Sequence, residues 1–254
     1  MEALRVEGLS KYFGGLQALK NVSLSIQEGE RVGIIGPNGS GKTTLLNLIS
    51  GALPASSGKV YLFAQDVTNV PSYGRVHLGL ARTFQLNTLF FPLTVLDNVF
   101  LAIQALKPFR YGVFRPAHSY KGFLEEAEEL LVRWGLWEKR DLVVQHLSHG
   151  EQRCLELILG LASDPKIILL DEPTAGLSAT ETGILTTMIQ GFKHDVTTII
   201  VEHNIDALFK VAEHIIVLNY GEVIAAGKKE EVRADAKVRQ VYLGADETSD
   251  AEVD

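Results

Sequence analysis

The sequence predicts an α/β fold: a mostly parallel sheet with helices between its strands, and an α-helical subdomain inserted into that core. Three observations predict it. Short apolar runs alternate with helical stretches, the pattern of βαβ units. One run, Ile167-Ile168-Leu169-Leu170, is apolar at every position, as a central parallel strand covered on both faces must be. The stretch from about residue 86 to 148 breaks the alternation and reads as helical.

The elements follow in chain order. Val22 to Ile26 alternates apolar and polar residues, the mark of a half-buried strand. Arg31 to Ile35 is a short apolar run that stops at Gly36, and Lys42 to Ser50 reads as the next helix. Lys59 to Phe63 is another strand. Arg82-Thr83-Phe84-Gln85 reads as a short strand leading into an apolar loop. Lys107 to Tyr120 is irregular, with two prolines and several aromatics. Beyond it, Phe123, Leu124, Ala127, Leu130, Leu131 and Trp134 share one helical face, opposite Glu125, Glu126, Glu128, Glu129 and Arg133. Thr197 to Val201 repeats the buried-strand character of residues 167–170. Ile215 to Leu218 and Glu222 to Ala226, separated by Tyr220-Gly221, read as a hairpin. The expected organisation is one domain over residues 1–244, with a core of 1–85 and 149–244 and a helical subdomain of about 86–148. Residues 245–254 hold five acids and no base, which predicts a disordered tail.

The bulk numbers set limits. With 254 residues the chain is long enough for one large α/β domain, or for a core with a smaller subdomain. A net charge of −7 argues against broad nucleic-acid binding, which needs a basic face. It does not oppose a phosphate site, which is a local arrangement of donors. The single cysteine, Cys154, excludes an internal disulfide and fits a reducing compartment. Residues 1–10 carry Glu2, Arg5 and Glu7 and do not read as a signal peptide. No stretch approaches the roughly 18 apolar residues of a membrane span. His146, His149 and Cys154 do not have zinc-site spacing.

Three segments carry chemistry. Gly36-Pro37-Asn38-Gly39-Ser40-Gly41-Lys42-Thr43 fits G-x-x-x-x-G-K-[ST] at every fixed position, between a strand and a helix. Small residues let backbone N–H groups close around phosphate oxygens, and the helix adds its positive end. Lys42 reaches the β- and γ-phosphates, and the Thr43 hydroxyl suits Mg²⁺. Asp171 and Glu172 end an apolar strand, where one carboxylate can hold Mg²⁺ through water and the other can act as a general base. Leu147-Ser148-His149-Gly150-Glu151-Gln152 opens a helix; Ser148 is either a plain N-cap or part of an anion site.

Taken together, these segments resemble the ATP-binding subunits of ABC transporters over almost the whole chain. Residues 36–43 resemble the Walker A loop, and Thr44 follows it. Gln85 resembles the Q-loop glutamine and Leu147 to Glu151 the LSGGQ signature. Asp171 and Glu172 resemble Walker B and its catalytic glutamate, and His203 the switch histidine. The resemblance implies a P-loop NTPase core with an antiparallel β subdomain and an inserted α-helical subdomain. It implies ATP and Mg²⁺ as ligands and ATP hydrolysis as the reaction. Glu172 would polarise the attacking water, His203 would bond the γ-phosphate, and Gln85 would sense Mg²⁺ and that water. Phe13, followed by Gly14-Gly15, resembles the aromatic that stacks on adenine, with Tyr12 as its alternative. Two subunits would stack head to tail, each signature capping the other's ATP through Ser148 and the backbone near Gly150. His149 and Glu151 depart from the usual glycine and glutamine, and Ser178 stands where aspartate is common.

Arg82-Thr83-Phe84-Gln85, the insert at 107–120 and the ending Val241-Tyr242-Leu243-Gly244 resemble the branched-chain amino acid importers, in particular the subunit with the longer helical insert. That implies a second ATP-binding subunit, two integral membrane permeases and an extracellular substrate-binding protein. It implies a peripheral seat on the cytoplasmic face of the inner membrane for a chain that is soluble when isolated. Urea and amide importers, the lipopolysaccharide-export ATPase and soluble assembly ATPases such as those of iron–sulfur biogenesis are the alternatives. Leu86, Leu89, Phe90 and Phe91 after Gln85 either receive a permease helix or pack inside the helical subdomain.

Overall fold

A computed structural model describes residues 1–83, 89–105 and 121–246. The elements are β1 (Glu2–Phe13), β2 (Leu16–Gln27), β3 (Arg31–Ile35), α1 (Lys42–Ile49), β4 (Ser57–Leu62), β5 (Gln65–Asp66), α2 (Ser72–His77), β6 (Leu80–Thr83), α3 (Val95–Ala105), α4 (Lys121–Arg133), α5 (His149–Leu161), β7 (Ile167–Asp171), α6 (Ala179–Gln190), β8 (Thr197–Val201), α7 (Ile205–Val211), β9 (His214–Asn219), β10 (Glu222–Lys228), α8 (Lys229–Ala234) and α9 (Ala236–Asp246).

The central sheet has six strands in the order β10-β9-β3-β8-β7-β6. All pairings from β9 to β6 are parallel, and only the β9–β10 hairpin is antiparallel. A second sheet, β2-β1-β4-β5, is antiparallel throughout. The apolar runs explain how the layers stack. Successive side chains of a strand point to opposite faces. Ile168 and Leu170 of β7 therefore join one core with α5, α6 and the helices α3 and α4. Ile167 and Leu169 join the other core, with α1 and the antiparallel sheet. Every residue of β7 and β8 is buried, which is why these strands show no polar alternation.

β2 contains the predicted half-buried strand and extends it on both sides by pairing along β1. The predicted strand at 59–63 lies two residues earlier and ends at Leu62, because Phe63 and Ala64 turn with φ of 48° and 64°. In α4, Ala127 and Leu131 are fully buried while Glu125, Glu128, Glu129 and Arg133 are exposed, as the helical pattern required. The β9–β10 turn has positive φ at both Tyr220 and Gly221, the geometry of a tight two-residue hairpin. The helix α9 runs through Ala245 and Asp246, the first two residues of the 245–254 segment. Residues 247–254 and the whole irregular piece at 107–120 lie outside the described residues.

Candidate active site

The ends of β3, β7 and β8 lie side by side in the central sheet, and each releases one part of the site. β3 runs into the phosphate loop. Gly36 is required there, since a Cβ would sit 2.1 Å from the Leu218 carbonyl oxygen and 2.6 Å from Ser40 Oγ. Gly41, the N-cap of α1, adopts φ 104°, which a side chain would resist. The loop is held from the β9–β10 turn, whose Gly221 N–H donates to the Ser40 carbonyl at 3.0 Å. Lys42 is buried, and its ammonium donates to the carbonyls of Gly36 at 2.7 Å and Pro37 at 3.0 Å. Burial pulls the Lys42 amine below its usual range, against the raising influence of Glu172 and Asp171. Pro37 and Thr44 are half-buried; Asn38, Gly39 and Thr43 are exposed at the mouth of the loop. Ser40 Oγ is buried without a hydrogen-bond partner among the described residues.

β7 delivers Asp171, 3% exposed. Its Oδ2 accepts from Arg82 Nη2 at 2.9 Å, while Oδ1 is buried without a hydrogen-bond partner. Burial, joined by the Glu172 charge, pushes the Asp171 carboxyl above its usual range despite Arg82 and Lys42. Glu172 follows in a left-handed backbone with φ 50°, a conformation that non-glycine residues hold only when the surroundings fix it. What fixes it includes its N–H, which donates to the Val201 carbonyl of β8 at 2.8 Å. Beyond β8, His203 Nε2 donates to Glu172 Oε1 at 3.0 Å. Two residues 31 apart in sequence, each assigned a role at the same phosphate, thus meet side chain to side chain.

Ser148 caps α5: its Oγ accepts from the Glu151 N–H at 3.3 Å, and the Glu151 carboxylate accepts from the Ser148 N–H at 2.9 Å. Glu151 also pairs with Lys139. Burial raises its pKa, but the bonds from Lys139 and Ser148 outweigh that and hold it below the usual range. Gln152 Nε2 donates to the Leu147 carbonyl at 3.2 Å; Leu147 is buried and His149 exposed. Among the described residues no hydrogen bond or ion pair joins 147–152 to the phosphate loop. Phe13 is 46% exposed at the end of β1, with the Lys11 ammonium 5.2 Å from its ring centre; Tyr12 is 50% exposed. Gln85 lies outside the described residues.

The family profile described as ABC transporter matches residues 19–175. This chain belongs to the ABC transporter family. It is 37% identical, over 98% of its own length and 98% of the relative's, to the probable branched-chain amino acid transport ATP-binding protein LivG of Archaeoglobus fulgidus. It superposes on a nucleotide-free ATP-binding cassette from an ABC transporter with a TM-score of 0.84 and 33% identity, covering 95% of this chain and 99% of that one. A dimeric ATP-binding cassette in a post-hydrolysis state, bound to ADP and phosphate, matches with a TM-score of 0.72 at 31% identity, over 89% of this chain and 98% of that one. ABC ATPases bind and hydrolyse ATP, and the fold above is theirs.

In this ABC ATPase, three supporting residues were missed by sequence reading. Glu202, 4% exposed, accepts from the N–H and hydroxyl of Thr174 at 2.8 and 2.7 Å and from the His203 N–H at 3.1 Å. It ties the segment after β7 to the backbone of His203. Glu181 takes part in a capping box with Ser178 and also accepts from the Gly150 N–H at 3.2 Å. The signature donor expected to face a partner's ATP is therefore engaged within the chain. Arg75, fully buried, donates to the carbonyls of Leu48 and Ile49 at 2.7 and 2.6 Å, placing a cation at the negative end of α1. Burial pushes its pKa down to about 10. A lone acid or arginine inside a polar stretch carries no periodic signal; only the capping pattern Ser178-x-x-Glu181 was legible. Of the apolar cluster after Gln85, Leu86 lies outside the described residues, Leu89 is buried, Phe91 packs against the core and Phe90 is 56% exposed.

Proposed function

We propose that this chain is the ATP-hydrolysing subunit that energises import of branched-chain amino acids. The observation that carries the reading is the hydrogen bond between Glu172 and His203, with Asp171 and Glu172 both acting on the charge of the buried Lys42, in a chain that matches a branched-chain transport ATPase along nearly its full length.

In this reading residues 36–44 grip the phosphates, Lys42 exchanges its loop carbonyls for phosphate oxygens, and Phe13 stacks on adenine. The donor set fits Mg²⁺: Asp171 offers the buried, unpartnered Oδ1, Thr43 an exposed hydroxyl on the first turn of α1, and Gln85 a further oxygen assigned from sequence. Mg²⁺ held there would neutralise charge on the phosphate oxygens. Glu172 takes the proton from the attacking water, and His203, bonded to its carboxylate, fixes its direction. Leu147 to Gln152 cap the ATP of a second ATP-binding subunit, with Ser148 and the Gly150 N–H as donors. The domain division is a core of 1–85 and 149–244 around a helical subdomain of about 86–148. Two permeases dock near Gln85 and Phe90, with a substrate-binding protein on the far side. No helix among the described residues is long and apolar enough to cross a membrane, which suits a peripheral subunit on the cytoplasmic face.

The test is to identify the membrane proteins that co-purify with this chain and to screen the associated extracellular binding protein for ligands. Permeases with a binder of leucine, isoleucine or valine support the proposal. A urea or amide binder moves the substrate and keeps the mechanism. Recovery of soluble scaffold proteins alone overturns the transport reading.

A further inference from the structure

We infer that Arg82 is a positioning residue for the Mg²⁺ site: it fixes the Asp171 carboxylate against the phosphate-loop helix so that Oδ1 faces the nucleotide's metal. The argument begins with the fork. Arg82 Nη2 donates to Asp171 Oδ2 at 2.9 Å, and Nη1 donates to Asn47 Oδ1 at 2.6 Å and Ser50 Oγ at 2.9 Å. One planar group thus joins β6 to α1 and to the end of β7. The arginine and aspartate side chains are 7% and 1% exposed, so water competes little for these bonds. With Oδ2 held, the carboxylate cannot rotate freely, and its remaining oxygen is the buried, unpartnered Oδ1. That oxygen belongs to a carboxylate whose charge reaches Lys42, the phosphate-loop lysine.

The fork has a second consequence. Arg82, on β6, stands three residues before Gln85 in the sequence. A shift of β6 would move the guanidinium, and with it Asp171 and α1 together. A lysine could reach one of these oxygens but not span all three, because only the planar fork presents several fixed donors at once. The inference rests on the proposed Mg²⁺ role of Asp171, and wild-type binding of Mn²⁺ in the presence of ADP checks that role first.

The test uses the full chain. Mn²⁺ affinity in the presence of ADP is read by the electron paramagnetic resonance of free Mn²⁺, and ADP affinity is read separately in EDTA. Groups that orient a metal ligand are worth about ten- to hundredfold in metal affinity. Arg82→Lys is therefore expected to weaken Mn²⁺ by about tenfold with metal-free ADP affinity kept within about twofold. Asn47→Ala, which loosens the guanidinium and leaves both charges in place, is expected to shift Mn²⁺ affinity the same way by a smaller factor. Unchanged Mn²⁺ affinity in both variants overturns the inference. So does an equal loss of ADP affinity in EDTA, because a merely structural arginine would damage the whole nucleotide site. Should Arg82→Lys fail to fold, Asn47→Ala decides alone on the same two readings.

Discussion

Cys154 shows how burial and neighbouring charge set the chemistry of a residue. Its thiol is pushed up from 9.0 to about 11, first by desolvation and then by Glu151 and Glu181. Between these values the native protein keeps a proton that the unfolded chain releases, so stability falls as pH rises through that window. Urea unfolding across it is expected to show this slope, and Cys154→Ala to flatten it. Near pH 8 the native thiol should react slowly with iodoacetamide. Glu172→Gln is expected to keep ATP binding and to lower turnover by about 10²–10⁴-fold, the usual worth of a general base. Binding and steady-state hydrolysis measured together check it; unchanged hydrolysis would reassign the base. Glu172 was singled out from its place at the end of an apolar strand, and His203 through the family resemblance. Their direct hydrogen bond was not legible, because it spans 31 residues and depends on β7 lying beside β8.

Among the elements, α5 and α6 begin with the same device, a serine cap answered by a glutamate three residues on. Ser178→Ala should cost about 1 kcal/mol, measured by urea unfolding. Glu181 does more than cap, since it also holds the Gly150 N–H. In a Glu172→Gln background, Glu181→Ala is expected to let ATP drive dimerisation at lower nucleotide concentration, read by light scattering. A higher requirement would mean that the contact aligns the signature and does not compete with phosphate. Glu151, a departure from the usual signature glutamine, spends its carboxylate on the cap and on Lys139. The sequence showed the substitution and could not show where its charge is absorbed.

Over the whole molecule, the central sheet is the wall between two cores, and the site sits where its parallel strands end. Leu170 is fully buried in one core. Leu170→Ala should destabilise by about 2–5 kcal/mol, the range for truncating a core leucine. Val132→Ala, on the exposed side of α4, should change stability by no more than about 0.5 kcal/mol. Parallel urea curves for the two variants test the layer assignment, and a comparable loss at Val132 would contradict the facing of α4.

What the sequence determined by itself is local: the glycines that let a backbone wrap phosphate, the apolar period of the strands and helices, the acids at the end of β7, the Ser148 cap and the hairpin. Each is written within a few residues, so spacing alone reveals it. What only the tertiary structure decided joins distant segments. Arg82 meets Asp171 across 89 positions, Glu202 reaches Thr174 across 28, and Glu181 reaches Gly150 across 31. The antiparallel β subdomain was implied by the family resemblance, but its strand order, with β1 between β2 and β4, came only from the structure. The physical reason is the same in each case. A side chain's partner is set by which strands share a sheet and which helices cover it, and that arrangement is fixed by burying two continuous apolar faces at once.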